Sequence, residues 1–334
     1  MTKKEVKENR RRKKIFLAIL MVLFTGVLLT TSTYAWFTAN KTVTVDQIDV
    51  NVAATNGLQL SVDGTTWKPA VTQEDILGAT TKYAAAKNQI PAGNSSPVST
   101  IGAINESNGF MNMFLGSIQE SGGKNILTAE KSEETHGTGG DFVAFDLFFR
   151  TTSDTPIYLT NASNVIYSKG PNGLQNASRV AFVMSGNTAA GSDLATIQGM
   201  KASTDSEVII WEPNSDVHTA TGVNNAINEY GKPATEGPDA TYLDYVGVKA
   251  PIGAELNMPV NSTDGGYFQA VTPKIITKAA GIGTTFEKAF DLKAGVTKVR
   301  VYMWIEGQDV DCENDASGGS ISYNLQFSMN AAAA

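Results

Sequence analysis

The chain has 334 residues, 33 of them acidic against 26 Lys and Arg, a net charge of −7 and a single cysteine, Cys312. That balance argues against a nucleic-acid partner, whose affinity rests on Lys and Arg neutralising phosphates. One cysteine excludes an intramolecular disulfide, and the length suffices to bury a core without such staples.

The first segment is unlike the rest. Met1–Lys14 carries eight basic residues against Glu5 and Glu8, and Ile15–Leu29 follows without a charge. Those apolar residues span about 22 Å as a helix, short of the roughly 30 Å hydrocarbon core of a bilayer. A basic start, a short apolar run and a small-residue exit make a secretory signal peptide. Thr33 and Ala35 occupy the −3 and −1 positions of a cut between Ala35 and Trp36. The other reading is a retained signal anchor. Removing residues 1–35 takes away eight basic and two acidic residues, so 26 and 33 become 18 and 31, a net of −13. Such a chain suits the outside of the cell and attracts divalent cations.

Residues 36–54 predict the first strand. Val43 and Val45 share one face, and Ile48, Val50 and Val52 share another, with a slip of phase at Asp46-Gln47. A slip inside an alternating run predicts a bulge. Asp63-Gly64, between Leu58–Val62 and Thr65–Trp67, is a two-residue hairpin signal. Residues 72–135 read as an insertion, with short helical turns at Glu74–Leu77 and Lys82–Lys87 and a helix-like apolar face over Ile104–Ile118. Asp141–Arg150 is apolar on both faces and predicts a central strand covered twice. Ile157–Thr160, Val165–Tyr167, Val180–Met184 and Val208–Trp211 continue the β pattern. Residues 186–290 read as a second insertion, largely irregular from Glu212 to Asn261. Two alternating strands, around Val299–Ile305 and Ile321–Met329, close the domain that begins near residue 55 and ends near 330. Together these elements predict an all-β, antiparallel β-sandwich with long loops and a few short helices.

The chemistry of catalysis is sparse. His136 and His218 are the two histidines, neither in a His-Glu-x-x-His pattern, and no Gly-x-Ser-x-Gly elbow or phosphate-cradling glycine loop occurs. Cys312 has no neighbouring histidine and reads as an inert thiol. The expectation is that the protein is not an enzyme. Asp309, Asp311, Glu313 and Asp315 alternate before Gly318-Gly319. Oxygen ligands at that spacing suit Ca²⁺, but Asn314 and Ser320 break the EF-hand pattern. A solvated acidic turn is the alternative.

Thr33-Tyr34-Ala35-Trp36-Phe37-Thr38 after its leader resembles the junction of the TasA/camelysin-like family of exported bacterial proteins. Trp304–Cys312, Gly318–Ser322 and the final amphipathic strand resemble the ending of its clostridial-type members, and Asp141–Arg150 resembles a central strand of the family. The resemblance covers both ends and one middle strand. It implies a jelly-roll-like sandwich and a leader cut by an accessory signal peptidase. For the fibre-forming members it implies a homopolymeric extracellular filament or biofilm-matrix subunit that contacts the membrane only through its leader. It also implies assembly by donor-strand complementation, with Trp36–Ala53 as donor and Val43, Val45, Ile48, Val50 and Val52 as its buried residues. The same segment can instead pair within its own subunit as a plain first strand. A second expectation is a monomeric adhesin or carbohydrate-binding protein. Its sugar-stacking residues would be Trp211, Tyr230, Tyr242, Tyr245, Tyr267 and Phe268.

Overall fold

The computed structural model describes residues 45–55, 57–83, 86–93, 95–121, 124–167, 173–215, 217–228, 246–252, 266–276, 286–312 and 318–332. Ala35, Trp36, Val43, Glu313 and Asp315, and with them the cleavage junction, lie outside these residues.

The protein is mostly β. Sheet one contains β1 (Val45–Ala54), β3 (Ala70–Thr72), β8 (Thr155–Leu159), β9 (Asn164–Tyr167), β15 (Glu287–Leu292) and β17 (Gly319–Ser328). Its order is β15-β8-β17-β1-β3, and β9 also pairs with β17. Sheet two contains β2 (Gln59–Ser61), β7 (Val143–Thr151), β10 (Ser178–Thr188), β11 (Val208–Trp211), β14 (Lys274–Ile276) and β16 (Gly295–Ile305). It runs β14-β11-β10-β16-β7-β2. Smaller sheets join β4 (Val98–Ser99), β5 (Met113–Ser121) and β6 (Lys124–Ser132), and β12 (Val246–Val248) with β13 (Phe268–Ala270). The described helices are short: α1 (Gln73–Gly78), α2 (Leu194–Gly199) and α3 (Ala220–Asn228).

The two large sheets share one apolar core. Ile48, Val50, Tyr323 and Phe327 of sheet one pack in the same cluster as Phe145, Phe149, Phe182 and Val301 of sheet two. At its centre Phe149, Phe182, Phe290 and Phe327 meet with ring centroids 5.2–5.9 Å apart, in the tilted and edge-on geometries that aromatic quadrupoles favour. The other face of sheet two is also covered. Phe142, Ala144, Tyr302 and Trp304 form a second cluster with Val98, Ile104 and Met113. The strand predicted over Asp141–Arg150 is therefore β7, buried on both sides. Its apolar runs on both faces are the cause.

The sheets are mixed rather than antiparallel throughout. β1 runs parallel to β17, and β11 parallel to β14. Parallel neighbours need a long crossover, and both pairs have one, because the partners are far apart in sequence. The slip at Asp46-Gln47 is a real irregularity: the β1–β17 register shifts between Val45 and Gln47.

Three local expectations differ from the structure. Ile104–Ile118 is not a helix. Asn105 Oδ1 accepts from Ser107 N–H, Gly109 adopts φ +77°, and the chain reverses so that Ile104 pairs with Met111 before β5 begins. Asp63-Gly64 does not close a two-residue hairpin, since Leu60 pairs with Lys68. The Asp63 carboxylate accepts the N–H groups of Thr65 and Thr66 at 2.8 Å and builds a wider turn. Residues 186–290 are not a pure insertion, because β11, β14 and β15 within them belong to the two large sheets.

Candidate functional site

β1 occupies an inner place in sheet one, between β17 and β3. Ile48, Val50 and Val52 stand opposite Ile321, Tyr323 and Leu325, and all six are buried. Period-2 alternation puts these side chains on the core face. On the other face Asn51 Nδ2 donates to Asn324 Oδ1 at 3.1 Å, and Asn324 Nδ2 donates to Asn164 Oδ1 at 2.8 Å, a ladder across β1, β17 and β9. β3 pairs with β1 over Asn51–Ala53. Val45, the fourth of the five predicted donor positions to be placed, opens the strand beside Gly319.

The link from β1 to sheet two is short. Thr55 N–H donates to Phe327 O at 2.9 Å, Leu58 N–H to Thr55 O at 3.3 Å, and β2 begins at Gln59 in the opposite sheet. Gly57 takes φ +81° in this crossing, a conformation that glycine adopts without the Cβ penalty of other residues. In the single chain, then, the predicted donor strand fills a slot in its own subunit and hangs from the rest of the fold by a few residues.

The two placed residues of the acidic run form something other than a solvated turn. Asp309 and Asp311 follow β16 and are buried. Asp309 Oδ2 accepts from Arg179 Nη2 at 2.6 Å, and Arg179 Nε lies 3.1 Å from Glu212 Oε1. Asp311 Oδ2 meets His218 Nδ1 at 3.1 Å, while its Oδ1 accepts from both the N–H and the Oγ1 of Thr219 at 2.8 Å. Gly222 packs onto this carboxylate: a Cβ there would lie 2.6 Å from Asp311 Oδ1. Burial pushes the Glu212 carboxyl up, against the pull of Arg179. Burial also pushes Asp311 up, although the His218 hydrogen bond opposes it.

His218, Asp309 and Asp311 each offer one ligand atom within 4.8 Å of the others. Ca²⁺ takes six to eight oxygens, whereas this trio offers two carboxylates and a ring nitrogen, with the guanidinium of Arg179 already on Asp309. The arrangement is an ion-pair cluster that ties β10, β11 and the segment before α3 to the turn after β16. Cys312, next in the chain, is buried.

Of the aromatics considered for sugar stacking, Trp211 and Phe268 are buried, Tyr267 is half-buried, and Tyr230, Tyr242 and Tyr245 lie outside the described residues. The two buried rings have no face to offer a sugar.

Sequence reasoning missed a second charged network, on the outer face of sheet two. Arg300 Nη1 donates to Asp146 Oδ1 at 2.8 Å, and its Nη2 pairs with Glu134 Oε2. Lys298 Nζ lies 3.0 Å from Asp146 Oδ2, Tyr83 OH donates to the same oxygen, and Tyr302 OH donates to Glu134. Burial pushes Glu134 up, while burial of Asp146 is outweighed by Arg300 and Lys298, which hold it below the usual carboxylate range. The visible signal was Asp146 alone in an apolar strand, with Lys298 and Arg300 alternating in another.

No protein-family model, curated protein or solved structure matches the chain.

Proposed function

We propose that this chain is a secreted structural subunit of an extracellular filament or biofilm matrix, with a jelly-roll-like sandwich fold and no enzymatic activity. It polymerises when β1 of one subunit fills the β1 slot of the next, after removal of residues 1–35 by a signal peptidase. The observation that carries this reading is the setting of β1. The strand is internal to its sheet, buries Ile48, Val50 and Val52, and joins the remainder through the short Thr55–Leu58 link. A second copy offers the same slot with the same contacts, so exchange between subunits costs only what the link must absorb. The resemblance of the leader junction supports export and processing. While the leader is attached, β1 is tethered and cannot thread freely into a neighbour.

Electron microscopy of the purified chain lacking residues 1–35 tests this directly. Filaments are expected, and excess synthetic peptide spanning Trp36–Ala54 should shorten them by occupying slots. Filaments whose length ignores the peptide would refute strand exchange, and a monodisperse monomer that binds glycans would favour the adhesin reading.

A further inference from the structure

Lys298 and Asp146 place an amine and a carboxyl in contact inside the fold. They stand on the neighbouring strands β16 and β7, and both are buried. Lys298 is the register partner of Phe148, and Asp146 of Arg300. The two are therefore diagonal neighbours, a spacing that a long side chain can span. Lys298 Nζ lies 3.0 Å from Asp146 Oδ2. The rings of Tyr83 and Phe148 stand 5.7 Å from the same nitrogen.

The polar partners of this pair are the ones an amide needs. Lys298 Nζ donates to Gln198 O at 3.0 Å, an acceptor ready for an amide N–H. Arg300 Nη1 donates to Asp146 Oδ1 at 2.8 Å, a donor ready for an amide carbonyl and for the oxyanion that precedes it. Tyr83 OH donates to Asp146 Oδ2, the oxygen beside the amine. An amide joining Nζ to Cγ would keep a partner for its N–H and for its oxygen, as buried polar groups require. Charge balances on both sides of the reaction as well. Lys298 and Arg300 face Asp146 and Glu134 before it, and Arg300 faces Glu134 after it.

We propose that Lys298 and Asp146 condense into an intramolecular isopeptide bond that ties β16 to β7. One ammonium proton passes to Oδ2, Nζ attacks Cγ, and negative charge gathers on Oδ1 against Arg300. The Cγ–Oδ2 bond then breaks. Oδ2 leaves as water with two of the three ammonium protons, one of them relayed by Tyr83, and the third stays on the amide nitrogen. Nothing is oxidised or reduced, and no co-reactant is consumed. The cavity beneath the 105–110 turn, which Asp146, Lys298 and Arg300 line, gives the water an exit. Well-oriented groups in one molecule react as though at about 10⁵ M or more, and a neutral amide escapes the desolvation cost of a buried ion pair. Until the bond forms, the two groups remain an ion pair in which Asp146 titrates as Arg300 and Lys298 dictate. The site is separate from β1 and does not depend on assembly.

The test is intact-mass spectrometry of the purified, denatured protein. The mass is expected to fall short of the sequence by one water, and tandem spectrometry of a digest should find a branched peptide joining Lys298 to Asp146. Lys298→Met should restore the full mass, whereas Lys293→Met, at an exposed lysine paired with Asp154 elsewhere, should keep the deficit. A wild-type chain that carries its full sequence mass after prolonged storage overturns the bond. So does a deficit that persists in Lys298→Met or maps to Asp63-Gly64, where an aspartyl succinimide has the same mass. The peptide mapping is made on the wild type, so it decides the matter even if Lys298→Met fails to fold.

Discussion

Asp146 and Arg300 are register partners on β7 and β16, and their side chains, both buried, meet at 2.8 Å. Removing one member of a buried pair strands the other, at a cost of about 3–5 kcal/mol. Arg300→Met leaves both Asp146 and Glu134 without their guanidinium. Urea unfolding should show a loss in that range, and a loss under about 1 kcal/mol would mean the network contributes nothing.

The two carboxylates of this network respond to pH in opposite directions. Asp146 is held low by Arg300 and Lys298, so its stabilisation is present above its unfolded value of about 3.8 and is lost as pH falls through the lower folded value. Glu134 is held high by burial, so its contribution is present below its unfolded value of about 4.5 and is lost as pH rises through the folded value. Glu134→Gln should therefore gain on the wild type as pH rises from 4.5 towards 7. Denaturation at several pH values checks the slope, and a difference that does not change with pH would contradict it.

Gly222 is fixed by the Asp311 carboxylate. In Gly222→Ala the new Cβ would sit 2.6 Å from Oδ1, so Asp311 must move off the Thr219 N–H and hydroxyl. Thr219 is part-buried, so leaving these groups unsatisfied costs less than the roughly 1–3 kcal/mol of a fully buried one. A lowered melting temperature is expected, and an unchanged one would show that the α3 segment shifts freely.

Calcium is expected to leave the melting temperature unchanged at millimolar concentration. Asp309 carries Arg179 and Asp311 carries His218 and Thr219, so a cation there would have to displace a guanidinium. A rise of several degrees would show that Glu313 and Asp315 complete a site.

Val50→Asp tests β1. Val50 is 1 % exposed, opposite Tyr323, and an unpaired carboxylate there costs several kcal/mol. The variant should form no filaments, and adding the wild-type Trp36–Ala54 peptide should recover a folded, capped subunit detectable by its sharpened thermal transition.

What could be read from the sequence follows from range. β7 was legible because an apolar run on both faces is a local pattern, and so was the Asp46-Gln47 slip. β5 was misread because a few apolar residues in a short window fit a helix as well as a strand, and the reversal at Asn105–Gly109 was decided by turn chemistry. The acidic run was visible, but its meaning was not. Asp311 meets His218 across 93 positions and Asp309 meets Arg179 across 130. Those distant partners turn a solvated loop into a buried cluster.

The Asn51–Asn324 bond joins positions 273 apart. Because β1 is paired along its length with β17, sheet one lacks an inner partner until nearly the whole polypeptide is present. Contacts of such sequence separation slow folding. Under the export proposed above, that delay would keep the polypeptide threadable, because β1 would wait for β17 before sheet one could close.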